Sequence, residues 1–367
     1  MPTLIRDAPL PEAPAVTSAG RAGGMLPSLT GMRWAAAFLV FAFHTYKFGY
    51  YGPADEKVVA WAARSGSVGV MFFFVLSGFV LTWSARPKDR FFSFFRRRLA
   101  RIYPIHVLTA VLALVLAFTV LPWLRDGERT APEAIVANLL LVSSWKYEWW
   151  QAANPVSWSL VCEAFFYACF PLVYAVLRRV GPKLLTVVAV LCVLSVAFQP
   201  DDYHLYSLPP ARLPEFVLGV AVARLVQLGK WRGPGLEGAV ALTLIGYFAV
   251  PLVPGDQYWT ALIGLTLLIA AGAVADIDGE PSMWRRPVLV RLGEWSFAFY
   301  MIHLLVMHSL RLWVGDKPKL DTLPAFGLVG LAFAVSLALA ALLYTYVEEP
   351  GRRLVLGKTR LTLRRRR

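Results

Sequence analysis

"RWAAAFLVFAFH", residues 33–44, sets ten uncharged, mostly apolar residues between an arginine and a histidine. A run of this kind reads as part of a helix crossing a lipid bilayer, so both polar ends need a reason to be there. Eleven residues at about 100° each make three turns plus roughly 20°, so Arg33 and His44 project from one face, about 16 Å apart along the axis. An arginine at a helix end can snorkel to the interface. A histidine inside the span either hydrogen-bonds a neighbouring helix or faces a cavity or pathway.

The rest of the chain has the same character. Its 367 residues are 57% hydrophobic and only 16% charged, with a mean hydropathy of +0.56. A water-soluble domain does not carry that much apolar surface. Apolar runs recur throughout and predict an all-α, polytopic membrane protein with about ten transmembrane helices. The expected spans are residues 33–50, 66–84, 102–124, 157–177, 183–198, 213–228, 236–253, 258–275, 292–314 and 324–347. The run 135–142 is too short to cross and reads as interfacial or re-entrant.

The net charge of +14 could suggest nucleic acid, but its distribution follows membrane topology instead. With the N-terminus inside, 27 of the 37 Lys and Arg fall on the inner side, which places both termini in the cytoplasm. The expected location is the cell membrane, crossed many times, with the lipid bilayer as partner and no nucleic acid. Residues 1–25, rich in Ala and Pro, read as a disordered cytoplasmic tail. Residues 26–356 form one membrane domain and 357–367 a basic cytoplasmic tail. The three cysteines all lie in apolar segments and offer neither a disulfide framework nor zinc spacing.

Four further stretches carry polar groups where lipid should exclude them. "FFSFFRRRLARIYPIH", 91–106, opens the third span with Arg96, Arg97, Arg98 and Arg101. Such a cluster either anchors a cytoplasmic loop at anionic headgroups or binds several phosphates through paired guanidinium donors. "NPVSWSLVCEAFFY", 154–167, sets Glu163 well into the fourth span, at an expected depth comparable with His44. A carboxylate beside an imidazole orients it as a general base, although a proton relay in a transporter uses the same pair. Ser157 and Ser159 at that helix start read as caps. "GEWSFAFYMIHLLVMH", 293–308, puts Tyr300 and His303 on one helical face. "SVGVMFFFVLSGFVL", 67–81, holds Ser77 and Gly78 in mid-span, where small residues favour close helix packing. His44, Glu163 and His303 lack the i, i+3 or i, i+4 spacing that assembles a metal site, so no metal is expected. No nucleophile elbow, Walker loop or G-x-G-x-x-G turn is present.

Taken together, these stretches resemble the acyltransferase-3 family of integral membrane O-acyltransferases. "LTGMRWAAAFLVFAFH" is similar to the family's opening helix and "FFFVLSGFVL" to its Ser-Gly-Phe signature at Ser77. "FFRRRLARIYP" resembles the Arg-rich entry to the third helix and "SWSLVCEAFFY" the Ser-Trp-Ser-Leu-x-x-Glu element with Trp158 and Glu163. "SFAFYMIH" matches the late Tyr and His, and "VEEPGRR" the terminal Glu-x-Pro element. The resemblance implies catalysis by His44 with Glu163. It implies substrate binding by Arg33, Arg97, Arg98, Arg101, Ser77, Trp158, Tyr300 and His303. It also implies acyl-CoA as co-substrate with no permanently bound cofactor, and an acceptor hydroxyl on a carbohydrate or a glycosylated or polyketide metabolite. The opening stretch is also similar to actinobacterial members that acylate sugars on macrolides. Thr30 stands where many members have Asp, and a capping role survives that change. The esterase domain fused to some cell-wall-acetylating members is not seen. The rival reading is a proton-coupled exporter, which also buries His, Glu and Arg.

Overall fold

A computed structural model describes residues 24–86, 91–121, 124, 127–200, 202–253 and 258–357. The tails expected at 1–25 and 357–367 lie almost wholly outside these. Every regular element among the described residues is helical. The helices are α1 (Pro27–Lys47), α2 (Glu56–Ala63), α3 (Val68–Trp83), α4 (Phe91–Thr119), α5 (Pro132–Leu139), α6 (Trp158–Leu177) and α7 (Pro182–Ala197). There follow α8 (Tyr203–Ser207), α9 (Leu213–Gln227), α10 (Leu236–Ala249), α11 (Trp259–Asp278), α12 (Pro287–Val314), α13 (Thr322–Leu343) and α14 (Glu349–Val355). A single parallel bridge, Tyr51 to Leu320, is the one extended pairing among them.

Each expected span overlies one of these helices, but the count of ten is not reproduced by length and hydropathy. Among the described residues, six segments are long and apolar enough to cross: Glu56–Trp83, Phe91–Thr119, Pro155–Leu177, Trp259–Asp278, Pro287–Val314 and Thr322–Val355. α7, α9 and α10 have 16, 15 and 14 residues, short of the roughly 20 that a hydrocarbon core requires. α1 is 21 residues long but carries Arg33, His44 and Lys47, and it is not among the six. It also begins six residues before the expected start, at a Pro suited to a first helical turn.

Two glycine contacts set the distances that matter for the site. At Gly78 on α3 an added Cβ would run into the Phe216 carbonyl of α9, and at Gly219 on α9 into the Val75 carbonyl of α3. The two backbones therefore touch reciprocally, which only hydrogen side chains permit. Gly69 meets the Ala36 carbonyl and Val40 of α1 in the same way, pressing α3 against α1. α1 also packs along α12, where Trp34, Phe41 and Phe299 meet ring to ring at 5.1–5.6 Å.

α1 is capped from outside itself. Thr30, expected to cap, is interior to the helix, and no side chain at its own start does so. Instead Asp276 at the end of α11 accepts from the Ser28 amide and hydroxyl, both at 2.8 Å. A carboxylate thus meets the positive end of the helix from a distant segment. A π-helical turn, Tyr344–Glu348, joins α13 to α14 and leaves Glu348 buried.

Candidate active site

His44 sits three residues from the end of α1, half-buried, and lines a cavity of about 760 Å³. Its Nδ1 lies 2.9 Å from the Val40 carbonyl, one turn back, and 3.1 Å from Nε2 of His303 on α12. His303 is fully buried, and its Nδ1 lies 2.8 Å from the Tyr300 carbonyl and 3.3 Å from that of Phe299. A carbonyl only accepts, so Nδ1 of His303 carries its proton, and its Nε2 in the neutral ring is an acceptor. His44 Nδ1 faces two acceptors and must therefore be the donor. The tautomer assigned by this network leaves Nε2 of neutral His44 with a free lone pair. Fixing one ring nitrogen as donor is how a protein prepares the other as a base.

The walls of the His44 cavity carry both aromatic and polar side chains. Trp158 lies 4.9 Å from Tyr206 and 6.1 Å from Trp150, ring to ring, and Gln151, Gln199 and Asp202 supply hydrogen-bonding groups. Flat apolar faces beside planar polar side chains suit an acceptor that has both C–H faces and hydroxyls. Arg212 also lines this cavity. It is paired at 2.8 Å with Glu215, and both are buried. The guanidinium lies 5.5 Å from the Phe74 ring and 5.7 Å from the Tyr206 ring. Burial pushes the Tyr206 hydroxyl above its ordinary range, against the opposing field of Arg212, so it stays neutral and can donate.

A second cavity, of about 330 Å³, is lined by Arg33, Ser77, Arg98, Arg101, Glu163, Tyr167 and Tyr300 among others. Glu163 accepts from the Ser77 hydroxyl at 3.3 Å and hydrogen-bonds Tyr167. Arg33 interacts electrostatically with Glu163 and with Glu348, which the π-helical turn presents. Arg98 donates to the Ser84 hydroxyl at 3.1 Å, and its Nε is buried without a hydrogen-bond partner. Among the described residues, this pocket thus holds three guanidiniums and one carboxylate, Glu163.

The expected grouping is therefore partly redrawn. Arg33 and His44 do share the inner face of α1, each opening onto its own cavity. Glu163 does not reach His44: it lies at the level of Arg33, because α6 begins beside the His44 cavity and runs towards the arginines. His303 occupies the position beside His44 that was expected of the carboxylate. Of the arginine cluster, Arg98 and Arg101 line the second cavity, whereas Arg97 is not among its lining residues. Ser157 holds the N-cap position of α6 but makes no side-chain capping bond, and Ser159 lies inside the helix. Ser157 donates to the Asn154 carbonyl at 2.6 Å and accepts from Asn138 at 2.7 Å, and Ser159 meets the Tyr300 hydroxyl at 2.9 Å. Asn154 continues this chain to the Met301 carbonyl at 2.8 Å, fixing α12 beside Tyr300. Sequence reasoning passed over Arg212, Glu215 and Asn154. A short-spaced Arg and Glu at the head of an apolar helix was the signal available.

The acyltransferase-domain profile of the acyltransferase-3 family matches residues 26–345. Acyltransferase MdmB of Streptomyces mycarofaciens is 39% identical over 366 residues, covering 91% of this chain and 93% of that protein. A relative in Staphylococcus aureus (strain COL), named for O-acetyl transfer, is 24% identical over 89% of this chain. One in Bacillus subtilis (strain 168), YrhL, named for peptidoglycan O-acetylation, is also 24% identical over 89% of this chain. The chain spans only 57% and 55% of those two proteins, respectively. No solved structure matches it.

Proposed function

The chain belongs to the acyltransferase-3 family of membrane acyltransferases, and on that premise we propose that it moves a short acyl group, acetyl above all, from acyl-CoA to an acceptor hydroxyl. The acceptor is a carbohydrate or a glycosylated or polyketide metabolite. The observation that carries the reading is the His44–His303 pair, which leaves Nε2 unprotonated on a histidine that lines an aromatic, polar-lined cavity. The name of the Bacillus relative, which refers to a glycan, favours the same acceptor chemistry.

Arg98 and Arg101 hold the phosphates of the donor in the smaller cavity, since guanidinium pairs with phosphate oxygens two donors at a time. Arg33, poised between Glu163 and Glu348, completes that charge balance. Glu163 orders this donor cavity through Ser77, Tyr167 and the arginines. The thioester end reaches the His44 cavity, where Trp158 and its neighbours hold the acceptor. Nε2 of His44 takes the acceptor's O–H proton as its oxygen attacks the thioester carbon. The Nδ1–H bond to His303 steadies the imidazolium that forms. The tetrahedral intermediate collapses, the C–S bond breaks, and the thiolate recovers the proton from Nε2, leaving an ester and free CoA. A base placed this way contributes about 10²–10⁴-fold.

The test is mass spectrometry of glycans and secreted metabolites from the source strain, a deletion, and the deletion carrying wild type or His44→Ala. One ester should disappear in the deletion, return with wild type and stay absent with His44→Ala. Its return with His44→Ala at wild-type yield would refute the catalytic role.

A further inference from the structure

Among the described residues, the two cavities have two lining residues in common, Val70 on α3 and Tyr300 on α12. Both are buried, at 5% and 7% exposure, so they stand between the cavities rather than at a mouth. On the donor reading above, charge recognition happens on one side of this pair and proton transfer on the other. The thioester must then lie at the pair when it reacts.

Neither residue can step aside freely. The Tyr300 hydroxyl donates to the Val156 carbonyl at 3.1 Å and meets the Ser159 hydroxyl at 2.9 Å. Its neighbour Met301 is anchored by Asn154. Val70 follows Gly69, whose backbone lies against Ala36 and Val40 of α1. Val40 is the residue whose carbonyl holds His44, so the position of Val70 relative to the base is fixed by backbone contact. When the frame cannot move, side-chain volume sets the aperture.

We infer that Val70 and Tyr300 form the passage joining the donor cavity to the His44 cavity, and that the volume at position 70 sets the length of acyl group transferred. Val70 contributes two methyl groups to the wall and Tyr300 a ring pinned by its hydroxyl. An acyl chain longer than the natural one meets Val70. Removing the two methyls makes room for about that many extra carbons. Discrimination of one methylene in an apolar pocket is about 10–200-fold, so the effect on donor choice is large.

The experiment complements the deletion strain with wild type, Val70→Ala and Val70→Phe. It reads the acyl composition of the restored ester by mass spectrometry, where every natural donor competes. With Val70→Ala the ratio of longer to natural acyl groups should rise about tenfold or more, while the esterified position stays the same. Val70→Phe should shift the ratio towards the shortest acyl group or stop transfer. If Val70→Phe does not accumulate in the membrane, Val70→Ala alone decides. A restored ester with an unchanged acyl ratio in Val70→Ala would overturn the passage and leave the acyltransferase reading standing. No ester lost in the deletion would overturn both. The acyl ratio is a readout that a general loss of stability does not move.

Discussion

His303 gives the sharpest test of the proposed base. Its Nε2 accepts from His44 Nδ1 at 3.1 Å, while the Val40 carbonyl accepts the same proton at 2.9 Å. In His303→Phe the ring volume is nearly kept, in a pocket already built of Phe41 and Phe299. His44 Nδ1–H is not orphaned, because Val40 still accepts it, so the reactive tautomer persists. What is lost is one hydrogen bond to the imidazolium of the transition state. A hydrogen bond to a charged group contributes about 1.5–3 kcal/mol, and about 1.4 kcal/mol is tenfold in rate. Transfer should therefore slow about 10- to 150-fold, with the KM values for donor and acceptor near wild type. The assay is the initial rate of ester formation by purified protein in lipid nanodiscs, using the acceptor identified in the deletion strain. His303→Gln, whose side-chain oxygen accepts, should recover part of the loss. A rate within twofold of wild type for His303→Phe would refute the pairing argument. So would a loss equal to that of His44→Ala, because the Val40 carbonyl should keep His44 working.

The other predictions concern charge and packing. Arg98→Ala and Arg101→Ala should each raise the KM for acyl-CoA about tenfold or more with little change in kcat, and the effect should shrink at high salt; equal losses in kcat would refute the phosphate role. Arg212→Leu leaves Glu215 buried and unpaired, which costs about 3–5 kcal/mol, and Arg212→Leu with Glu215→Leu should recover most of the lost thermal stability in detergent. Failure of the double variant to recover would show that the pair is not the cause. Gly78→Ala drives a methyl into the Phe216 carbonyl and should destabilise by about 1–3 kcal/mol, seen as a lower Tm. An unchanged Tm would mean that α3 and α9 can separate without cost.

Helical class was legible because composition and apolar runs act over whole segments. The crossing count was harder, since α7, α9 and α10 have 16 residues or fewer, below a bilayer's usual requirement, and α1 mixes ionisable groups into its length. The shared face of Arg33 and His44 followed from helical pitch alone. The partner of His44 did not, because Glu163 and His303 both fit the sequence argument, and only the direction and offset of α6 separate them. Position within a span fixes depth only to within a turn or two when the helix ends are uncertain. Arg98 and Arg101 line the cavity while Arg97 is not among its lining residues, a distinction that a run of adjacent arginines does not make legible. Arg212 was hidden because a charged pair three residues apart at a helix head usually lies in solvent.

The π-helical turn at Tyr344–Glu348 makes the surroundings of the donor cavity tolerant of a gap in one place and intolerant of it in another. Such a turn holds one residue more than the α-helix would over the same stretch. Deleting a single residue from within it would restore α-helical winding and leave Glu348 turned towards Arg33 and Arg101, because the surplus residue is the one lost. Deleting a residue from the regular winding of α13, with the turn kept, would instead swing Glu348 by about 100° relative to the helix before the gap. Arg33 and Arg101 would then lose a neighbouring carboxyl group with every residue of the arginine cluster intact. Among related chains, gaps falling in this one turn are the ones that donor handling can absorb, and gaps in the long apolar helix before it carry more meaning.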